Sequence, residues 1–169
     1  MSRTTLLRGE PLEVEGAELR AGDPAPDFRL HMMGEGGLKD VSLKDFQGKT
    51  LILSVVLSLD TGVCAAQSRK FNEAASKLPD DVEVLTVSTD LPYAQRRFCG
   101  AEHLDKLKTA SDHRDVSFGK AYGVLIPSLR TLMRAAFVVG PDGTIKYAEY
   151  VPELTTEPNY DAVLSAAKA

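Results

Sequence analysis

The spacing of apolar positions changes several times along this chain, and each change marks an element. Thr5 to Arg8 and Leu12 to Val14 flank the turn residues Gly9-Glu10-Pro11, which predicts a small β-hairpin within residues 3–20. Asp23-Pro24-Ala25-Pro26-Asp27 is expected to be extended, because proline fixes its own φ and restricts the residue before it. Short strands are predicted from Phe28 to Met32 and from Leu38 to Val41, around Gly34-Glu35-Gly36-Gly37. Leu51 to Val56 is a run broken only by Ser54, the pattern of a strand buried on both faces. From Val63 to Leu78 the spacing lengthens to three and four. Phe71, Ala74, Ala75 and Leu78 share one side, while Gln67, Arg69, Lys70, Glu73 and Lys77 fall largely on the other. Pro79-Asp80-Asp81 stops this helix, and Val82 to Ser88 is a second β-branched run. A strand–helix–strand unit follows, expected to be parallel and right-handed.

Leu91-Pro92-Tyr93 opens a short predicted helix that ends near Gly100. Lys108 to Ala110 reads as a strand and Val116 to Tyr122 as a helical segment, with Phe118 and Tyr122 in the core. Arg134 to Val139 and Thr144 to Tyr150 form a hairpin around Gly140-Pro141-Asp142-Gly143, since Asp-Gly supplies the turn geometry. Asn159 can cap a final helix through Lys168. A parallel unit, then an antiparallel hairpin and a last helix, is the thioredoxin-like order.

The 169 residues fit one domain, 1–169, with 1–20 as a hairpin extension. A chain of this size buries roughly 70% of its unfolded surface, enough for a core without disulfide staples. A formal charge of −4 gives no basic patch for nucleic acid. No apolar run approaches the ~20 residues of a membrane span. The first ten residues lack a long apolar stretch, so no secretory signal is read there. Two cysteines are too few for a secreted disulfide scaffold, and a cytoplasmic setting is expected.

Those two cysteines are the candidate chemistry. Cys64 follows the first buried strand and falls in the first turn of the next helix, where free amides and the helix dipole favour an anion. A thiol so placed can drop from about 8.5 into the range ~3.5–7.5. Thr61, three residues earlier, can offer a hydroxyl, and Asp60 is a candidate helix cap. A thiolate that cleaves a peroxide becomes a sulfenic acid, which a second thiol condenses to a disulfide. Cys99 is the only candidate for that thiol. Other readings compete. Free cysteines often serve as small apolar core groups. A permanent disulfide across the roughly 35-residue interval would contribute about 3–4 kcal/mol in the chain-entropy model, but the expected compartment opposes it. A metal site would need more soft ligands than two distant cysteines and the scattered His31, His103 and His113. Position 67 is Gln and position 61 is Thr, so the Cys-x-x-Cys of disulfide oxidoreductases is absent. Asp112-His113-Arg114-Asp115 contains the His-Arg-Asp of kinase loops, but no glycine-rich nucleotide loop precedes it; it reads as a loop or helix cap. Arg96 and Arg97 flank Cys99 and either raise its thiolate fraction or face water.

Ser58-Leu59-Asp60-Thr61-Gly62-Val63-Cys64 resembles the peroxidatic motif of peroxiredoxins, specifically the bacterial thiol peroxidase subfamily. Leu91-Pro92-Tyr93-Ala94-Gln95-Arg96-Arg97-Phe98-Cys99-Gly100-Ala101-Glu102 is similar to that subfamily's resolving-cysteine helix, and the stretch from Glu149 to Tyr160 is similar to its ending. The resemblance implies a thioredoxin-like α/β fold, a central mixed sheet flanked by helices, with an added N-terminal hairpin. It implies Cys64 as peroxidatic nucleophile, Cys99 as resolving thiol in the same chain, Thr61 bonded to the sulfur and the peroxide, and Arg134 as the active-site arginine. It implies hydrogen peroxide and organic hydroperoxides as substrates, thioredoxin as reductant, a homodimer, and no metal, haem or flavin.

One position departs from the pattern. The family motif begins with proline seven residues before the peroxidatic cysteine, and here Leu57 stands there. Leucine restores an N–H and frees the backbone; it either impairs or retunes peroxide attack, by letting the strand run on, shifting the loop that carries Thr61 or changing how the thiol is shielded from water, or is a tolerated apolar swap. Two further functions stay open: a redox-sensing protein that uses the same disulfide as a switch, and a Cys-His hydrolase with His31, His103 or His113 beside Cys64.

Overall fold

The computed structural model describes residues 3–169; Met1 and Ser2, the first two positions of the expected extension, lie outside them. In chain order, β1 (Arg3–Leu7) and β2 (Glu10–Val14) form a hairpin, followed by β3 (Arg29–Gly34) and β4 (Gly37–Ser42). A 3₁₀ turn (Leu43–Phe46) leads into β5 (Thr50–Val55), α1 (Gly62–Ala75) and β6 (Val82–Ser88). Then come α2 (Pro92–Ala101), β7 (Lys108–Ser111), α3 (Ser117–Ala121), and the two-residue strands β8 (Leu125–Ile126) and β9 (Thr131–Leu132). The chain closes with β10 (Ala135–Val139), β11 (Ile145–Tyr150) and α4 (Tyr160–Lys168).

Seven strands form one mixed sheet in the order β11-β10-β5-β6-β7-β3-β4. β5 pairs in parallel with β6, and β6 with β7, while β10 runs antiparallel to β5. Strand pleat sorts the side chains onto two faces. Leu51, Leu53, Val55, Leu85, Val87, Ala135 and Phe137 point to one face with Phe28, Phe118 and Tyr122. Phe118 stacks on Tyr122 with ring centroids 4.3 Å apart, and Tyr122 meets Phe137 edge to face at 5.2 Å. Ile52, Val84, Ala136 and Val138 point to the other face, under Phe71 of α1 and Val163 of α4. With its N-terminal hairpin this is the anticipated thioredoxin-like α/β arrangement.

Several boundaries differ from the sequence expectation. The first hairpin turns at Arg8 and Gly9, both with positive φ, rather than at Gly9-Glu10-Pro11. Two central residues with φ above zero make a tight turn that suits the twist of the strands. Helix α1 ends at Ala75, not Leu78. The Ser76 hydroxyl donates to the Glu73 carbonyl at 2.6 Å, and the Lys77 and Leu78 amides reach back three residues to Ala74 and Ala75. Asp112 caps α3, accepting from the Phe118 and Gly119 amides at 3.1 and 2.8 Å. Burial outweighs those bonds and pushes its carboxyl up to about 6. No helix among the described residues is long and apolar enough to cross a membrane.

Candidate active site

β5 stops at Val55, and the Val56 amide makes one last bond to the Val87 carbonyl at 3.0 Å. The strand does not run on through Leu57, whose half-buried side chain lies between the main core and the small cluster of Val56, Leu59 and Cys64. Residues 58–61 fold into a turn: the Thr61 amide and hydroxyl both donate to the Ser58 carbonyl, at 3.1 and 3.0 Å. Thr61 then takes the N-cap position of α1 with extended backbone, and Asp60, expected as a possible cap, is exposed outside the helix. The first intrahelical bond runs from the Ala65 amide to the Thr61 carbonyl at 3.0 Å. Cys64 is therefore the third helical residue, in the turn whose amides precede that bond.

The Cys64 sulfur is fully buried, at 0% exposure. Its partner is Arg134, 70 residues away in sequence, which immediately precedes β10, the strand that pairs with β5 from Ala135 opposite Val55. Arg134 Nη2 lies 3.2 Å from Cys64 Sγ. The guanidinium is 1% exposed and is held on two further sides. Nη1 donates to Gln67 Oε1 at 2.8 Å, and Nε and Nη2 donate to the Leu154 carbonyl at 3.0 and 2.6 Å. Gln67 Nε2 in turn donates to Ser54 Oγ at 2.8 Å. Ser54, the polar break in the apolar strand, thus anchors the amide that orients the arginine. A buried cation needs such fixed partners to offset its lost hydration. Five N–H groups make four bonds here, so one Nη1 proton has no acceptor among the described residues.

Of the four expected site residues, Cys64 and Arg134 are in contact and Thr61 stands at the same helix start. The Thr61 hydroxyl does not bond the sulfur, because its proton closes the 58–61 turn; its oxygen lone pairs remain available as acceptors. Cys99 lies elsewhere. It is half-buried on α2, packed against the cluster beneath α1 and α4, and both thiols are free. Burial pushes its thiol up, against a weaker opposing bond to Thr109. Arg96 and Arg97 are exposed and face water. The preceding residue, Phe98, covers the Cys64 cluster instead.

Spacing puts Gln67 on the polar face of α1, yet it is 0% exposed. A glutamine among charged residues carries no mark of burial; only Ser54 in the facing strand hints at a buried polar partner. Leu154 acts through its carbonyl and leaves no trace in residue type. Histidine takes no part in the bonding there: His31 Nδ1 and His113 Nε2 face one another at 3.4 Å, and the hydrogen-bond partner of Cys64 Sγ among the described residues is Arg134, not a histidine. This removes the geometry a Cys-His hydrolase needs. No group of three or more metal-ligating side chains occurs among the described residues.

Comparisons with known proteins follow the same lines. The model of the family described as Redoxin matches residues 20–164. The chain is 52% identical to the thiol peroxidase of Bacillus subtilis over 163 residues, covering 96% of this chain and 95% of that protein. It is 49% identical to the thiol peroxidase of Streptococcus pneumoniae, covering 95% and 96%. Among solved structures, the peroxiredoxin-like protein from Aquifex aeolicus superposes with a TM-score of 0.87 at 38% identity, covering 99% of this chain and 97% of that one. The thiol peroxidase from Chromobacterium violaceum shares the fold, with a TM-score of 0.86 at 22% identity.

Proposed function

The chain belongs to the Redoxin family and is a thiol peroxidase of the peroxiredoxin type, and from that premise we propose that Cys64 is its peroxidatic nucleophile, Arg134 and Thr61 its stabilising groups, and Cys99 its resolving thiol. The single observation that carries this reading is the buried contact between Cys64 Sγ and Arg134 Nη2 at 3.2 Å. A guanidinium fixed on three sides holds positive charge at the sulfur in a water-poor pocket, where electrostatic stabilisation is strongest.

The proposed reaction starts from the Cys64 thiolate. Its sulfur attacks one peroxide oxygen, an S–O bond forms and the O–O bond breaks. The departing oxygen carries the negative charge away as hydroxide or alkoxide and takes up a proton. The unpartnered Nη1 proton of Arg134 and the Thr61 hydroxyl oxygen are the proposed donor and acceptor for the peroxide oxygens. The product is Cys64 sulfenic acid. Cys99 then condenses with it to a disulfide in the same chain, and thioredoxin returns both thiols. Hydrogen peroxide and small organic hydroperoxides are the proposed substrates. The protein is proposed to work in the cytoplasm as a homodimer. Apart from thioredoxin as reductant, the proposed cycle calls on no metal, haem or flavin.

The redox-switch alternative uses the same disulfide without turnover, so kinetics separates them. Cys64→Ser abolishes peroxide consumption in the presence of thioredoxin and its reductase. Cys99→Ser leaves one oxidation event per chain but no thioredoxin-driven turnover. Stoichiometric oxidation of the unaltered protein with no turnover would favour the switch; activity retained in Cys64→Ser would remove Cys64 from its role.

A further inference from the structure

Cys64 and Cys99 ride on different helices, yet one chain of hydrogen bonds joins the two segments, and Asp90 sits at its centre. Asp90 lies in the short link between β6 and α2. Its Oδ1 accepts from the Ser58 hydroxyl at 2.8 Å, and its Oδ2 accepts from the Leu59 amide at 2.9 Å and the Ser88 hydroxyl at 2.7 Å. Ser88 Oγ accepts from Gln95 Nε2 at 3.0 Å, and the same Nε2 donates to the Ala110 carbonyl on β7 at 2.9 Å. Ser88 and Gln95 are buried. Gln95 stands one helical turn before Cys99 on α2, and Ser58 and Leu59 open the turn that Thr61 closes at the start of α1. The path therefore runs from the turn of α2 beneath Cys99 to the loop that presents Cys64. An ionised carboxylate only accepts, so it can take all three donors at once, and such charge-assisted bonds are stronger than neutral ones.

Disulfide formation needs the two Cα atoms within about 7 Å and the Cβ vectors turned toward each other. Here Cys64 Sγ is engaged by Arg134 while Cys99 packs in a different cluster, and both thiols are free, so the two sulfurs have to leave those partners before they meet. The side-chain bonds from the Cys64 loop to the β6–α2 link both end on Asp90 among the described residues.

We propose that Asp90 is a positioning residue for the second half of the cycle, a latch between the Cys64 loop and the Cys99 helix that sets how fast the sulfenic acid meets its resolving thiol. This rests on the assignment of Cys64 and Cys99 above. In the step concerned, the Cys99 sulfur attacks the Cys64 sulfenic sulfur. The S–S bond forms, the S–O bond breaks, and the hydroxyl group leaves with the Cys99 proton as water. While the latch holds, the sulfenic acid stays in the peroxide site, where a second peroxide takes it to sulfinic acid. Asp90 thereby sets the partition between disulfide and sulfinic acid.

Rapid mixing of the reduced protein with hydrogen peroxide tests this. Cys64 oxidation gives a phase that depends on peroxide concentration, and disulfide formation gives one that does not. Mass spectrometry reads the sulfinic yield at high peroxide. In Asp90→Ala the second phase is expected to be about tenfold faster, the factor that 1.36 kcal/mol represents, with the sulfinic yield falling accordingly. Asp90→Asn keeps the shape and one acceptor and should lie between the two. Ser58→Ala removes one loop-side bond and should also quicken the second phase, which keeps the test alive if Asp90→Ala does not fold. The partition is a ratio within the folded molecules, so a merely structural loss would not move it. A normal first phase with an unchanged or slower second phase in these variants overturns the latch alone. An unaltered protein with no first phase overturns the assignment of Cys64, and the latch with it.

Discussion

Leu57 is the residue at which sequence pattern and geometry are most directly opposed. It replaces the proline that opens the family motif, yet every bond that shapes residues 58–61 is made without it. Thr61 closes on Ser58, the Asp60 amide reaches Ser58 Oγ at 3.2 Å, and Ser58 and Leu59 bond Asp90. No acceptor for the Leu57 amide is found among the described residues, and its φ is not in the left-handed region. Proline there removes no hydrogen bond. Leu57→Pro is therefore expected to shift stability by no more than about 1 kcal/mol, and to change the Cys64 oxidation rate by less than the roughly fivefold this energy represents. A tenfold gain in stopped-flow oxidation would show instead that leucine restrains the site. The cysteines were legible one by one because thiols are rare and their position before a helix has chemical meaning. Arg134 was reachable only through resemblance, since nothing in residues 51–64 points across the sheet to it. The burial of Gln67 is not legible, because spacing alone cannot tell a buried amide from a surface one.

Among the elements, α2 decides the pace of the second thiol. Cys99 sits where the helix packs against β7, and burial raises its thiol above the ordinary range. The neutral form then dominates at pH 7, while the thiolate is the nucleophile. Well below the thiol's own pKa, the thiolate fraction grows about tenfold per pH unit. Disulfide formation after a single peroxide pulse is therefore expected to accelerate from pH 7 to pH 9, with no plateau in that interval. Opening of the Asp90 latch and ionisation of Cys99 multiply in this rate; a flat profile would remove ionisation of Cys99 from the step and leave opening alone to set it. Elements of this kind were legible wherever a single period ran long enough: β5, α1, β6 and the β10–β11 hairpin all stand near their expected places. The two-residue strands β8 and β9 and the 3₁₀ turn at Leu43–Phe46 were not legible, because two to four residues hold less than one repeat of any pattern. The early end of α1 turns on one serine hydroxyl competing for the backbone, which no periodicity reports.

At the scale of the whole molecule, the N-terminal hairpin is tied to the site through the far end of the chain. The Leu6 amide donates to the Pro152 carbonyl, and the Leu154 amide donates to the Leu6 carbonyl, both at 2.8 Å. Thr5 Oγ1 reaches the Val151 and Pro152 carbonyls at 3.3 and 3.2 Å, and the Arg8 and Gly9 amides close on the Glu153 carboxylate at 2.9 and 3.1 Å. Those bonds fix the segment whose Leu154 carbonyl takes two of the four Arg134 hydrogen bonds. The guanidinium at Cys64 is therefore positioned from one side by α1, through Gln67, and from the other by the hairpin, through Leu154. The Arg8 amide, with those of Gly9 and Thr155, holds the Glu153 carboxyl below its usual range. A depressed carboxylate contributes stability above its unfolded value and loses it as pH falls through the folded one, so this clamp holds at neutral pH and loosens in acid. Breaking the clamp at pH 7 should reach the thiol without touching it. The double variant Thr5→Val/Glu153→Ala is expected to lower the melting temperature and to slow Cys64 oxidation about fivefold, the scale on which losing one hydrogen bond that orients the arginine would be felt in the rate. An unchanged oxidation rate alongside a lower melting temperature would show that Gln67 alone suffices to hold the arginine, and would reduce the hairpin to a brace for the sheet edge.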